Sequence, residues 1–134
     1  MVPPRAFWWV FVAVLVGCGE RERLTFPTTE PGNGAGPITN IDDPLAGDTV
    51  LTAGEPFVIA GRTFDPDGVA QVIFQLTGGS QNFAPLDGQG ADTVRFGLPI
   101  ETAGNSGDTV IVQVYGVDLL GQEGMHSVRR LRIQ

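Results

Sequence analysis

The chain has 134 residues, eight arginines, no lysine and fifteen carboxylates, for a formal charge of −7. That length suits one domain of ordinary size. The acidic balance excludes a nucleic-acid surface, because phosphate contacts need clustered positive charge, which occurs only at Arg129, Arg130 and Arg132.

The first element is an export signal. Arg5 supplies a positive start, and Ala6 to Val16 is an unbroken apolar run of eleven residues. A helix needs ~20 residues to cross a bilayer core, so this run reads as the apolar segment of a signal over residues 1–17. The run ends in Leu15-Val16-Gly17-Cys18, which contains the single cysteine of the chain. An exported protein normally carries cysteines in pairs, so an unpaired one needs its own explanation.

Those four residues resemble the lipobox of bacterial lipoproteins: an aliphatic residue, then a small one, then cysteine. The resemblance implies cleavage between Gly17 and Cys18, a diacylglyceryl group on the Cys18 sulfur, and an acyl chain such as palmitate on the new amine. Two or three chains give lasting attachment where one is marginal, at ~0.8 kcal/mol per buried methylene. Gly19 stands where an aspartate is associated with inner-membrane retention, so the resemblance favours the outer membrane where the cell has one.

Residues 18–37 form the next element. Gly19 to Pro37 is dense in Gly, Pro and Thr and poor in apolar residues, and it cannot bury enough surface to fold alone. It reads as a disordered tether spanning about 25 Å as a coil.

From residue 38 to 134 the pattern changes to short alternations broken by Gly, Asp and Pro. Phe57, Ile59, Gly61 and Thr63 share one face of a strand, and Val72, Phe74 and Leu76 one face of the next. Val94, Phe96, Leu98 and Ile100 follow, then Val110, Val112 and Val114. Weaker edge strands are expected at Ile38 to Asp42, Thr49 to Leu51, Asn82 to Leu86, and Val128 to Ile133. Seven or eight antiparallel strands, with no helix beyond the signal, predict an all-β sandwich, since a single flat sheet would leave half of its apolar side chains wet.

Two runs in this region are Val58-Ile59-Ala60-Gly61-Arg62-Thr63-Phe64-Asp65-Pro66-Asp67-Gly68 and Val112-Gln113-Val114-Tyr115-Gly116-Val117-Asp118-Leu119-Leu120-Gly121. With Pro44-Leu45-Ala46-Gly47 ahead of them, they resemble the bacterial immunoglobulin-like domains of cell-surface proteins. The resemblance implies one immunoglobulin-like sandwich over residues 38–134, and it says little about function, because that fold hosts many roles.

Both runs close on Asp-x-x-Gly. An aspartate at the head of a turn accepts hydrogen bonds from backbone N–H groups that follow, and glycine closes the turn with positive φ, so capping explains Asp65, Gly68, Asp118 and Gly121. The sharper reading is calcium. Asp65, Asp67 and Asp118 would converge at one end of a sandwich, joined by Asp42 or Asp43, to offer carboxylate oxygens to a six- to eight-coordinate ion.

The remaining chemistry is sparse. His126 is the only histidine, and with Cys18 lipidated it has no partner set for zinc. Ser80, Ser106 and Ser127 lack a nucleophile elbow, and the glycines at residues 78–79 and 88–90 precede no helix that could cradle phosphate. Arg130 and Arg132 alternate with Leu131 and Ile133, which places them on an exposed face, with an acidic polysaccharide as one conceivable contact. The expectation is a non-enzymatic domain, tethered to the membrane through its lipid in the cell envelope, with a protein or polysaccharide partner and no required cofactor. A carbohydrate-binding module and a calcium-binding adhesion domain are the alternatives, the former weakened by the lack of tryptophan after the signal.

Overall fold

The computed structural model describes residues 35–134. Gly17, Cys18, the signal and all of the expected tether up to residue 34 lie outside the described residues. Six strands follow in chain order: β1 (Ile38–Asp43), β2 (Asp48–Leu51), β3 (Phe57–Thr77), β4 (Leu86–Ile100), β5 (Thr109–Asp118) and β6 (Ser127–Ile133). The described residues are thus all-β, as the alternating pattern predicts. In β5 the reason is plain: Val110, Val112 and Val114 are buried while Thr109, Ile111 and Gln113 face outward. β-branched side chains at every second position suit a pleated, half-buried surface.

The strand count is six and not seven or eight. Phe57 to Thr63 and Val72 to Leu76 are two stretches of one 21-residue strand, β3, which carries through Asp65-Pro66-Asp67-Gly68 with a register shift between Phe64 and Val69. The turn signal there makes a corner within a strand, because β4 pairs with β3 on both sides of it, from Phe57↔Ile100 to Val72↔Leu86. Of Asn82 to Leu86 only Leu86 is in a strand, the first residue of β4. The pairing is also not wholly antiparallel: β2 runs parallel to β6, from Asp48↔Arg130 to Leu51↔Ile133. Period-2 alternation specifies which face a residue takes and is silent on the direction of the neighbouring strand.

The strands form one sheet in the order β1-β3-β5-β6-β2, with β4 on β3. Its two halves meet within β3. Residues Phe57 to Phe64 lie between β1 and the end of β4, whereas Val69 to Thr77 pair with β5. The sheet curls so that both halves cover one core, in which Ile41, Ile59, Phe96, Leu98 and Ile100 join Val72, Val112, Val114, Leu131 and Ile133. Phe74 sits edge-on to Phe96 at 5.5 Å and to Phe83 at 6.3 Å, a favoured aromatic geometry. The corner of β3 needs Gly68: its φ is 101°, and a Cβ there would stand 2.7 Å from the carbonyl oxygen of Gly90 in β4.

One side chain secures the passage from β1 to β2. The half-buried Arg129 guanidinium donates from Nε to Pro44 O at 2.7 Å and from Nη2 to Ile41 O at 2.9 Å. The chain leaves the edge of β3 at Asp43 and reaches the edge of β6 at Asp48, and a single charged fork on β6 satisfies carbonyls of that crossing.

Candidate functional site

The aspartates singled out by the sequence lie where strands end or bend. Asp65 is 2% exposed at the β3 corner, and its Oδ1 accepts from the Asp67 N–H at 2.8 Å. Its Oδ2 is buried with no hydrogen-bond partner. Asp118 is 4% exposed at the end of β5, and its Oδ1 accepts from Leu120 N–H and from Gln122 N–H, both at 2.8 Å. Its backbone closes the same turn, with Gly121 N–H donating to Asp118 O at 3.1 Å and Gly121 at φ 83°. Both residues cap their own turns, as the Asp-x-x-Gly pattern predicts.

The structure brings the two turns to one end, since Val69 is opposite Asp118 across β3 and β5. It does not gather the carboxylates into a cage: among the described residues no three acidic or imidazole side chains come together in an arrangement that could hold a metal ion. Asp42 stands 3.7 Å from Arg62, on the outer face of β1 and β3. Asp43 is exposed at the end of β1.

The basic residues near the C-terminus separate by face. Arg130 and Arg132 project outward, 3.7 and 3.8 Å from the two carboxylate oxygens of Asp48 on the parallel strand β2. Such exposed pairs add little to stability, and with one aspartate between two arginines the cluster keeps a single positive charge. Arg129 has the parity of Leu131 and Ile133, and turns inward to the carbonyls of Ile41 and Pro44. The parity of β6 is the one sequence signal for that side of the strand, and it does not name the acceptors. Gln81 has no such signal. Its carboxamide donates to Pro99 O at 2.7 Å and accepts from Glu101 N–H at 2.9 Å, so it covers part of the outer edge of β4 as a neighbouring strand would.

His126 lies just before β6, stacked on Tyr115 with ring centres 4.1 Å apart and planes at 7°, and 4.0 Å from a Glu123 carboxylate oxygen. A shallow depression of about 280 Å³ opens beside the β3 corner, lined by Ala35, Gly36, Ile38, Phe64, Asp65, Pro66 and Asp67. It is mostly apolar, and its two carboxylates belong to a capped turn. Among the described residues no helix is long and apolar enough to cross a membrane.

No protein-family model matches the chain, and no curated protein matches it in sequence. Among solved structures, it is similar to an arginine-to-glutamate variant of the SrpA adhesin from Streptococcus sanguinis, with a TM-score of 0.51 at 14% identity. The match covers 75% of this chain and 56% of the adhesin chain, so this chain corresponds to little more than half of that structure. At that identity the likeness is one of fold: the curled all-β domain described above is built like part of a bacterial adhesin.

Proposed function

We propose that the protein is a lipid-anchored module of the bacterial cell envelope, in which a non-enzymatic, immunoglobulin-like β-sandwich is held at the membrane for a structural or surface-binding role. The observation that carries this reading is Cys18, a single cysteine placed directly after an eleven-residue apolar run and Leu15-Val16-Gly17. Acylation at Cys18 gives that cysteine a purpose that disulfide pairing cannot. The acidic composition supports it too, because a chain of net charge −7 needs something other than charge to stay on a membrane.

The way β3 and β4 are shared supports the sandwich reading. On this view the first half of β3 belongs with β1 and the end of β4 in one layer, the second half with β5, β6 and β2 in the other, and the corner at Asp65 to Gly68 carries the chain between layers. The fold likeness to part of an adhesin is compatible with a surface-binding role. Mass spectrometry of the protein extracted from membranes tests the anchor: the expected species starts at Cys18 and carries a diacylglyceryl group. A chain that retains Met1, or an unmodified Cys18, would remove the reading.

A further inference from the structure

The exposed apolar side chains of the domain are unevenly placed. Of the ten large hydrophobic residues exposed among the described residues, five (Ile38, Phe64, Leu119, Leu120 and Met125) belong to one end. Pairing defines that end. Ile38 is opposite Phe64 and bridges to Met125, while Val69, just past the β3 corner, is opposite Asp118 at the foot of the Leu119-Leu120 turn. The other end is built from residues 52–56, 78–82 and 101–108, joined by bonds such as Ala53 N–H to Gln134 O and Gly107 N–H to Ile133 O. Its loop sequences are TAGEP, GGSQN and ETAGNSGD, none of which holds any of the ten, and only Val50 and Val58 are exposed in the strands beside them.

Several large apolar side chains exposed at one end mark a candidate contact surface, where single ones need no explanation. Leu119 and Leu120 are 62% and 68% exposed, and Met125 is 82% exposed. The turn that displays the leucines is locked in place, because the buried Asp118 carboxylate accepts from Leu120 N–H and Gln122 N–H. The chain also enters the domain here. Pro37 is fully buried, packed close to Gly116 and Gly124, so residues 1–34 join the domain beside the leucine turn.

We propose that this end rests on the bilayer, with Leu119, Leu120 and Met125 set into the boundary between headgroups and acyl chains. The inference deepens the lipid-anchored reading and rests on it. Cys18 lies seventeen residues before Ala35, at most about 60 Å of chain even fully extended, so the anchor keeps this end within reach of the surface, and a weak contact is then sufficient. Charge selects the occupant. Exposed charges at this end are mixed, Glu123 and Asp92 with Arg62 and Arg95, but the chain's net charge of −7 opposes both a second copy of itself and an anionic lipid surface. A zwitterionic surface is compatible with that charge, and the apolar side chains supply the attraction.

The test uses the full chain, expressed with its signal and reconstituted in phosphatidylcholine vesicles, carrying Leu120→Trp. Both native tryptophans precede Cys18, so the processed chain has only the introduced one. The expected result is a blue-shifted emission that is quenched by brominated acyl chains and less quenched when phosphatidylglycerol is added. Thr52→Trp, at the opposite end, stays solvent-like. Unquenched, solvent-like emission from Leu120→Trp on vesicles that retain the protein overturns the contact and leaves the anchor standing. A blue shift without quenching indicates a protein neighbour and overturns it equally. Loss of the protein from the vesicles with Cys18 unmodified removes the anchor and the contact together. Met125→Trp repeats the measurement if Leu120→Trp melts below the unsubstituted protein.

Discussion

Asp118 keeps its carboxylate 4% exposed inside an apolar domain, and hydrogen bonds from backbone amides make that tolerable. Its position was legible, because Asp followed three residues later by Gly after a strand is a turn signal with a mechanism. Asp118→Ala leaves two amides without their acceptor and is expected to cost about 2–3 kcal/mol in urea unfolding. Asp118→Asn retains an oxygen at the same place and is expected to cost less than half as much. Equal losses for the two variants would mean that the carboxylate does not organise the turn through acceptance. Arg129 was harder to read. Its sequence neighbours Arg130 and Arg132 suggest a basic cluster, yet Arg129 lies on the other side of β6, and its acceptors Ile41 and Pro44 lie more than eighty positions earlier in the chain.

At the scale of the element, β6 reads correctly from alternation alone: Leu131 and Ile133 are buried, and Arg130 and Arg132 are exposed. The prediction is a sharp contrast along one strand. Leu131→Ala removes a fully buried side chain and is expected to cost about 2–5 kcal/mol. Val128→Ala, at a position 41% exposed, is expected to cost under about 1 kcal/mol. Denaturation midpoints of the two variants measure the difference, and similar values would contradict the assigned register. The parallel partner of β6 could not be read in this way. Thr49 and Leu51 alternate just as they would beside an antiparallel neighbour, and only the crossing at residues 44–47 sets the direction of β2.

For the molecule as a whole, the curled sheet makes one core out of both halves, with Ile59 and Phe96 from one in the same cluster as Val112 and Leu131 from the other. Neither half buries its apolar face without the other, so unfolding is expected to be a single cooperative transition. Far-ultraviolet circular dichroism reports the strands, and the fluorescence of Tyr115, the chain's single tyrosine, reports packing near the β5 end. The two urea curves are expected to coincide. Separate midpoints would show that the halves of β3 belong to independently stable units.

What the sequence determined by itself was local. Strand faces, turn caps and the apolar run ahead of Cys18 each depend on residues within one element, and each was legible because side-chain period and turn chemistry act over short range. The tertiary structure decided how many strands those faces make, which neighbour runs parallel, and where the exposed leucines sit relative to the entry of the chain. Those features arise from contacts between distant segments: Gly68 against Gly90, Arg129 against Ile41 and Pro44, Ile38 against Met125. A periodic pattern carries no record of such partners, because many pairings bury the same face equally well.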